Sequence, residues 1–101
     1  MTDLQEKRCG EILKHYGVMK QRRQLVEECA ELIQAVCKMN RATPQESGNA
    51  FYNFLEEVAD VEIMLEQMKQ TLTDRERDTL LQIQTAKINR QLQRIAREGD
   101  Q

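Results

Sequence analysis

Apolar residues recur along this chain at intervals of three and four, and over no comparable length do they alternate with period two. Leu25, Cys29, Leu32, Ile33, Val36 and Cys37 follow this rhythm in one stretch; Leu81, Ile88, Leu92 and Ile95 follow it in another. Both stretches predict amphipathic helices, because a 3.6-residue repeat gathers such positions on one face. The stretch between them differs. Phe51, Leu55, Val58, Val61, Leu65 and Met68 make one broad stripe, while Tyr52, Ala59, Ile63 and Met64 spread apolar character around much of the remaining circumference. A helix apolar on two sides is either central in its bundle or packed against another subunit.

Punctuation sets the segment ends. A first segment, Leu4 to Tyr16, stops at Gly17, where a C-cap glycine belongs. The second runs from Val18 to Asn40. Pro44, Ser47 and Gly48 mark a turn across 42–49, so the third runs from Ala50 to Gln70. Thr73-Asp74-Arg75-Glu76 is a capping box that opens a fourth segment ending at Glu98, before Gly99. No internal repeat or low-complexity segment interrupts the pattern. The expectation is an all-α, four-helix bundle forming a single domain over 1–101. At 101 residues such a domain buries only about two-thirds of its unfolded surface, so its core is thin and oligomerisation would strengthen it.

Composition then narrows the function. Five Gly and Pro residues in all, with 40% hydrophobic and 32% charged residues, exclude collagen-like, low-complexity and disordered classes. A net charge of −2 does not suit a general nucleic-acid-binding surface, so no nucleic-acid polymer is expected as a partner. No apolar run of about 18 residues and no signal peptide occur, which predicts a cytoplasmic protein with no membrane partner. Cys9, Cys29 and Cys37 form no CxxC pair and read as reduced core thiols. His15, the sole histidine, reads as a surface residue.

Two acidic clusters stand out, Glu27-Glu28-Cys29-Ala30-Glu31 and Glu56-Glu57-Val58-Ala59-Asp60. A three-residue step on a helix returns to within about 60° of its starting direction, so Glu28 with Glu31, and Glu57 with Asp60, each project from one side. Measured from Leu25, Glu28 falls at the edge of the apolar arc of its helix and Glu31 just beyond it. Glu57 borders the stripe of the third helix in the same way, and Asp60 lies between its two apolar strips. Side chains at such boundaries converge in the groove between neighbouring helices. Four carboxylates gathered there repel and desolvate one another, and a hard divalent cation with oxygen preference relieves both costs.

A basic stripe completes the set. Lys87, Arg90, Arg94 and Arg97 fall within about 80° on the fourth helix, opposite Ile88, Leu92 and Ile95, and Lys38 follows Glu31 by seven residues on the same side of the second. Carboxylates for a metal with clustered Lys and Arg suit a triphosphate, whose charge both kinds of cation offset. GxxxxGK[ST] and GxGxxG are absent, which excludes P-loop and Rossmann nucleotide binding on motif grounds. The residues alone equally suit a non-catalytic helical interaction module with solvated acids. A di-iron bundle is disfavoured because no Glu-x-x-His pair is present.

The run Leu25-Val26-Glu27-Glu28-Cys29-Ala30-Glu31-Leu32-Ile33, followed by Phe54-Leu55-Glu56-Glu57-Val58-Ala59-Asp60-Val61-Glu62, resembles the EExxE … ExxD signature of the MazG-like nucleoside triphosphate pyrophosphohydrolases. These belong to the all-α NTP pyrophosphatase superfamily, and the likeness covers residues 18–97. It implies a homodimer or homotetramer that depends on Mg²⁺, or on Mn²⁺ in its place. It also implies hydrolysis of a nucleoside triphosphate at the α-phosphorus to the monophosphate and pyrophosphate. By motif, Glu28, Glu31, Glu57 and Asp60 would hold the metal and Glu27 would orient water. Lys87, Arg90 and Arg94 match the C-terminal basic element that grips phosphates, including from another subunit, and Lys38 adds to it. The chain lacks a tandem repeat, and Phe51, Tyr52 and Phe54 read as core rather than as base-stacking groups.

Overall fold

A computed structural model describes residues 1–99. Four helices make up the described residues, with no strand: α1 (Asp3–Tyr16), α2 (Val18–Arg41), α3 (Ser47–Gln70) and α4 (Asp74–Gly99). They divide into two compact units, Met1–Thr71 with α1 to α3, and a second opening at Leu72 with α4. Among the described residues no helix is long and apolar enough to cross a membrane.

Local chemistry explains the boundaries. Thr2 opens α1 with a reciprocal capping box: its hydroxyl accepts from the Gln5 amide at 3.1 Å and its own amide donates to Gln5 Oε1 at 2.9 Å. Gly17 alone joins α1 to α2. Its φ of 88° lies where a Cβ would clash, and its amide donates to the Leu13 carbonyl at 2.8 Å, so a single glycine ends one helix and begins the next. The third helix starts at Ser47, three residues before the position the turn residues suggest. Glu46 is the reason: its carboxylate accepts from both the amide and the hydroxyl of Thr43 at 3.0 Å, closing the turn around Pro44 and releasing Ser47 and Gly48 into the helix. At the head of α4 the expected capping box forms, with Thr73 N–H to Glu76 Oε1 at 2.8 Å and Glu76 N–H to Thr73 Oγ1 at 3.1 Å.

Within the first unit α3 is the central helix, packed against both α1 and α2, as its two-sided apolar pattern suggests. Helix α1 comes close to it at Gly10, where a Cβ would sit 2.7 Å from Gln70 Oε1, and Gln70 Nε2 donates to the Glu6 carbonyl at 2.7 Å. The α2–α3 pair is antiparallel, as its short connection requires, and its register is set by a buried amide pair. Gln21 Nε2 donates to Gln67 Oε1 at 2.8 Å, with Gln21 5% exposed and Gln67 fully buried. Stepping in opposite senses from that pair brings Glu28 opposite Asp60, Glu31 opposite Glu57 and Lys38 opposite Ala50.

Buried apolar side chains are few: Cys9, Ala35, Val61 and Met64. Two expectations about the core are corrected. On α2, Leu25, Leu32 and Val36 are half-buried, whereas Ile33 and Cys37 are exposed, together with Met19 and Val26. The face of α2 that turns inward is centred on Gln21, Glu28 and Ala35, seven residues apart, so the apolar positions split into an inner and an outer strip. On α3 the same rotation leaves Phe51 and Tyr52 exposed, with only Phe54 half-buried, so the first two are not core residues of this unit. Helix α4 buries no residue, and Leu81, Ile88, Leu92 and Ile95 all lie open on one face.

Candidate metal centre

The register of α2 and α3 brings four of the five sequence-predicted acids together. Glu28, Glu31, Glu57 and Asp60 each offer a carboxylate oxygen, and these four atoms lie within 4.8 Å of one another. Glu28 and Glu57 are half-buried; Glu31 and Asp60 stand at the exposed margin. The two inner acids are therefore not at the border of an apolar arc, as the helical wheel suggests. They occupy the faces that α2 and α3 turn toward each other, because the packing face of α2 is the polar row of Gln21 and Glu28. Glu27 is exposed and lies outside the cluster.

Electrostatics within the cluster is unfavourable as it stands. Gln24, one turn before Glu28, donates from Nε2 to Glu28 Oε1 at 2.8 Å, and the other oxygen, Glu28 Oε2, is buried without a hydrogen-bond partner. Glu57 Oε2 is buried and unpartnered as well. A buried carboxylate oxygen without a donor carries the full desolvation penalty of an acceptor. Asp60 registers the crowding: loss of solvation, the negative charge of Glu28 and a hydrogen bond shared with it raise the Asp60 carboxyl above its ordinary value.

The donor set fits a hard cation on three counts. It is all oxygen and all carboxylate; the widest separation of its ligand atoms, 4.8 Å, is about 0.6 Å beyond the trans-ligand spacing of about 4.2 Å around a Mg²⁺ with bonds of about 2.1 Å; and two of its oxygens want a partner. The softer thiols stand apart: Cys9 is buried elsewhere and Cys29 and Cys37 are free.

The basic residues are divided between the two units. Lys38 lies on α2 in the first. Lys87, Arg90, Arg94 and Arg97 lie on one exposed face of α4 in the second, where Lys87 and Arg90 border a shallow hollow with Ile83 and Ala86. His15 is a surface residue, its ring edge-on to Tyr16 at 4.7 Å. Sequence reasoning missed Gln24, although its place four residues before Glu28 on one helical face is a readable signal. It also missed Arg41, in the last turn of α2. Comparison with family models, curated proteins and solved structures gave no match.

Proposed function

We propose that this protein is a Mg²⁺-dependent nucleoside triphosphate pyrophosphohydrolase built on a MazG-like helical bundle, converting a (deoxy)nucleoside triphosphate to the monophosphate and pyrophosphate. The observation that carries the proposal is the convergence of Glu28, Glu31, Glu57 and Asp60 with two buried, unpartnered carboxylate oxygens among them. A protein keeps such an arrangement at a cost to its own stability, and a bound divalent cation offsets that cost. The acids also occur in the order and spacing of the EExxE … ExxD signature.

In this reading the four acids hold Mg²⁺, with Mn²⁺ able to replace it. The ion would neutralise phosphate charge and lower the pKa of a bound water. Gln24 holds Glu28 through a 2.8 Å hydrogen bond to Oε1, which leaves Oε2 unpartnered. Glu27, exposed next to Glu28, serves to orient solvent water at the margin of the cluster. Lys87, Arg90 and Arg94 match the basic element that grips phosphates in the family this chain resembles. The exposed apolar strip of Met19, Val26 and Ile33 on α2, and that of Leu81, Ile88, Leu92 and Ile95 on α4, support a homodimer or homotetramer.

The same exposed strips are what a non-catalytic interaction module would display, so the test must separate the two readings. Pyrophosphate release is measured from a panel of NTPs and dNTPs with Mg²⁺ and with EDTA, using Glu57→Gln as control. Magnesium-dependent release that is lost in the variant is expected. Release of orthophosphate alone would move the cleaved bond, and no turnover across the panel would favour the interaction module.

A further inference from the structure

Beyond the carboxylates the α2–α3 groove opens into a cavity of about 640 Å³, within the range of small-molecule sites, at the turn that joins the two helices. Lys38, Arg41, Gln45, Glu46, Asn49 and Asn53 contribute to its walls. Two cations and three neutral amides face one acid, Glu46, which accepts both hydrogen bonds from Thr43 and whose carboxylate the charge of Arg41 also stabilises, so the cations still outnumber it. Lys38 has no hydrogen bond or ion pair among the described residues. The uncapped first turn of α3, which carries no acid, supplies Asn49 to the wall.

The cavity continues the row of the carboxylates. Asn53 precedes Glu57 by four residues and Lys38 follows Glu31 by seven, so the two walls begin about 6 Å and 10 Å along the helices from the acids. Because Cβ bonds tilt toward a helix N-terminus, Lys38 leans back along α2 in the direction of Glu31. A ligand bridging the carboxylate cluster and this cavity must therefore be elongated, coordinate a cation at one end and carry negative charge at the other.

We infer that the α2–α3 turn cavity seats the terminal diphosphate of the substrate, the part released as pyrophosphate, with Lys38 and Arg41 as its cationic contacts. Its ligand rests on the nucleotide reading of the carboxylate cluster, whereas its position rests on the cavity alone. A charged guanidinium or ammonium contact to phosphate contributes enough that removing either should weaken binding about tenfold or more.

The test uses inorganic pyrophosphate as the probe, titrated calorimetrically into the full chain with Mg²⁺ and again with EDTA. Saturable binding is expected in the unaltered protein. Arg41→Gln and Lys38→Gln should each weaken it about tenfold or more, with Arg41→Lys recovering part of the loss. Both side chains are exposed, and an unchanged far-UV circular dichroism spectrum verifies the fold of each variant. Absence of saturable binding, or an affinity unaltered in both Gln variants, overturns the inference. Magnesium-dependent nucleotide turnover with unaltered pyrophosphate affinity in the variants would reject the cavity and retain the enzyme. Pyrophosphate binding lost in the variants, without turnover of any nucleotide, would retain the cavity and reject the enzyme.

Discussion

Replacing Glu57 by Gln should stabilise this protein in EDTA and remove most of the stabilisation that Mg²⁺ confers. The magnitude follows from the cluster: at 4.8 Å, the widest separation of its ligand atoms, two unit charges repel by about 0.9 kcal/mol in a water-like dielectric and about 3.5 kcal/mol at an effective value near 20. Glu57 is half-buried and Glu31 and Asp60 are at the margin, so the lower figure is the better guide. Glu57 faces three other carboxyls, whose field solvent and salt screen further. Relief of about 1 to 2 kcal/mol remains, a rise of about 5 to 10 °C in the melting temperature of a domain this size. In the unaltered protein, Mg²⁺ at a hundred times its Kd should add about 2.7 kcal/mol. Thermal melts of both proteins, with EDTA and across a Mg²⁺ series, read the two effects together. A variant that melts lower than the unaltered protein in EDTA, yet gains the same shift from Mg²⁺, would refute the reasoning, because the acids would then be neither repelling one another nor binding the ion.

Three other outcomes are expected. The raised Asp60 carboxyl binds its proton more tightly folded than unfolded, so in EDTA its contribution to stability is full below its ordinary value of 3.8 and is lost as pH rises through the raised value; urea midpoints across pH 4 to 7 should show this slope, and Asp60→Asn should flatten it. Gln67→Ala strands the buried Gln21 amide and opens a cavity, costing about 2 to 4 kcal/mol by urea denaturation, while a Gln21→Leu, Gln67→Leu pair should cost far less than that. Ile33→Asp on α2 and Ile88→Asp on α4, both at exposed positions, should shift sedimentation toward smaller species with helicity retained, and no shift in either would remove the support for self-association.

What could be read from the sequence was whatever one helix determines by itself. Gly17, the Thr73–Glu76 box and the three-and-four rhythm are local, and the helices stand within three residues of the expected ends. The pairing of Glu28 with Glu31 and of Glu57 with Asp60 is local too, since it depends only on helical pitch. Which arc of α2 faces α3 is not local. Both apolar strips of α2 lie to one side of the row of Gln21, Glu28 and Ala35, and a helical wheel drawn on hydrophobicity centres on the strips rather than on the polar row at their edge. That choice misplaced Ile33 and Cys37, put Glu28 at an edge, and counted Phe51 and Tyr52 as core. The amide pair of Gln21 and Gln67, 46 residues apart, decides the register, and nothing in either neighbourhood announces it. Arg41 escaped notice for a related reason: its role depends on the turn bringing Asn49 and Asn53 around beside it.

The polar row at the α2–α3 interface also explains why the first unit is sparsely packed. An antiparallel helix pair ordinarily buries apolar side chains at such positions, spaced by seven residues. Here those positions hold Gln21, Glu28 and Ala35 against Gln67, Asp60 and Asn53, and the second row holds Gln24, Glu31 and Lys38 against Met64, Glu57 and Ala50. The interface has exchanged hydrophobic burial for amides, acids and a cation. The amide pair is self-sufficient, since each buried partner finds the other. The acids are not, because two of their oxygens lack donors and every neighbour in the cluster bears the same sign. In the proposed reading, stability enters from outside the pair: a cation at the acids, and self-association over the outer strip of Met19, Val26 and Ile33. The two act on opposite faces of α2, so neither depends on the other's contacts. Magnesium should stabilise a variant whose outer strip is broken, and an assembly should survive the loss of Glu57, each by its own increment.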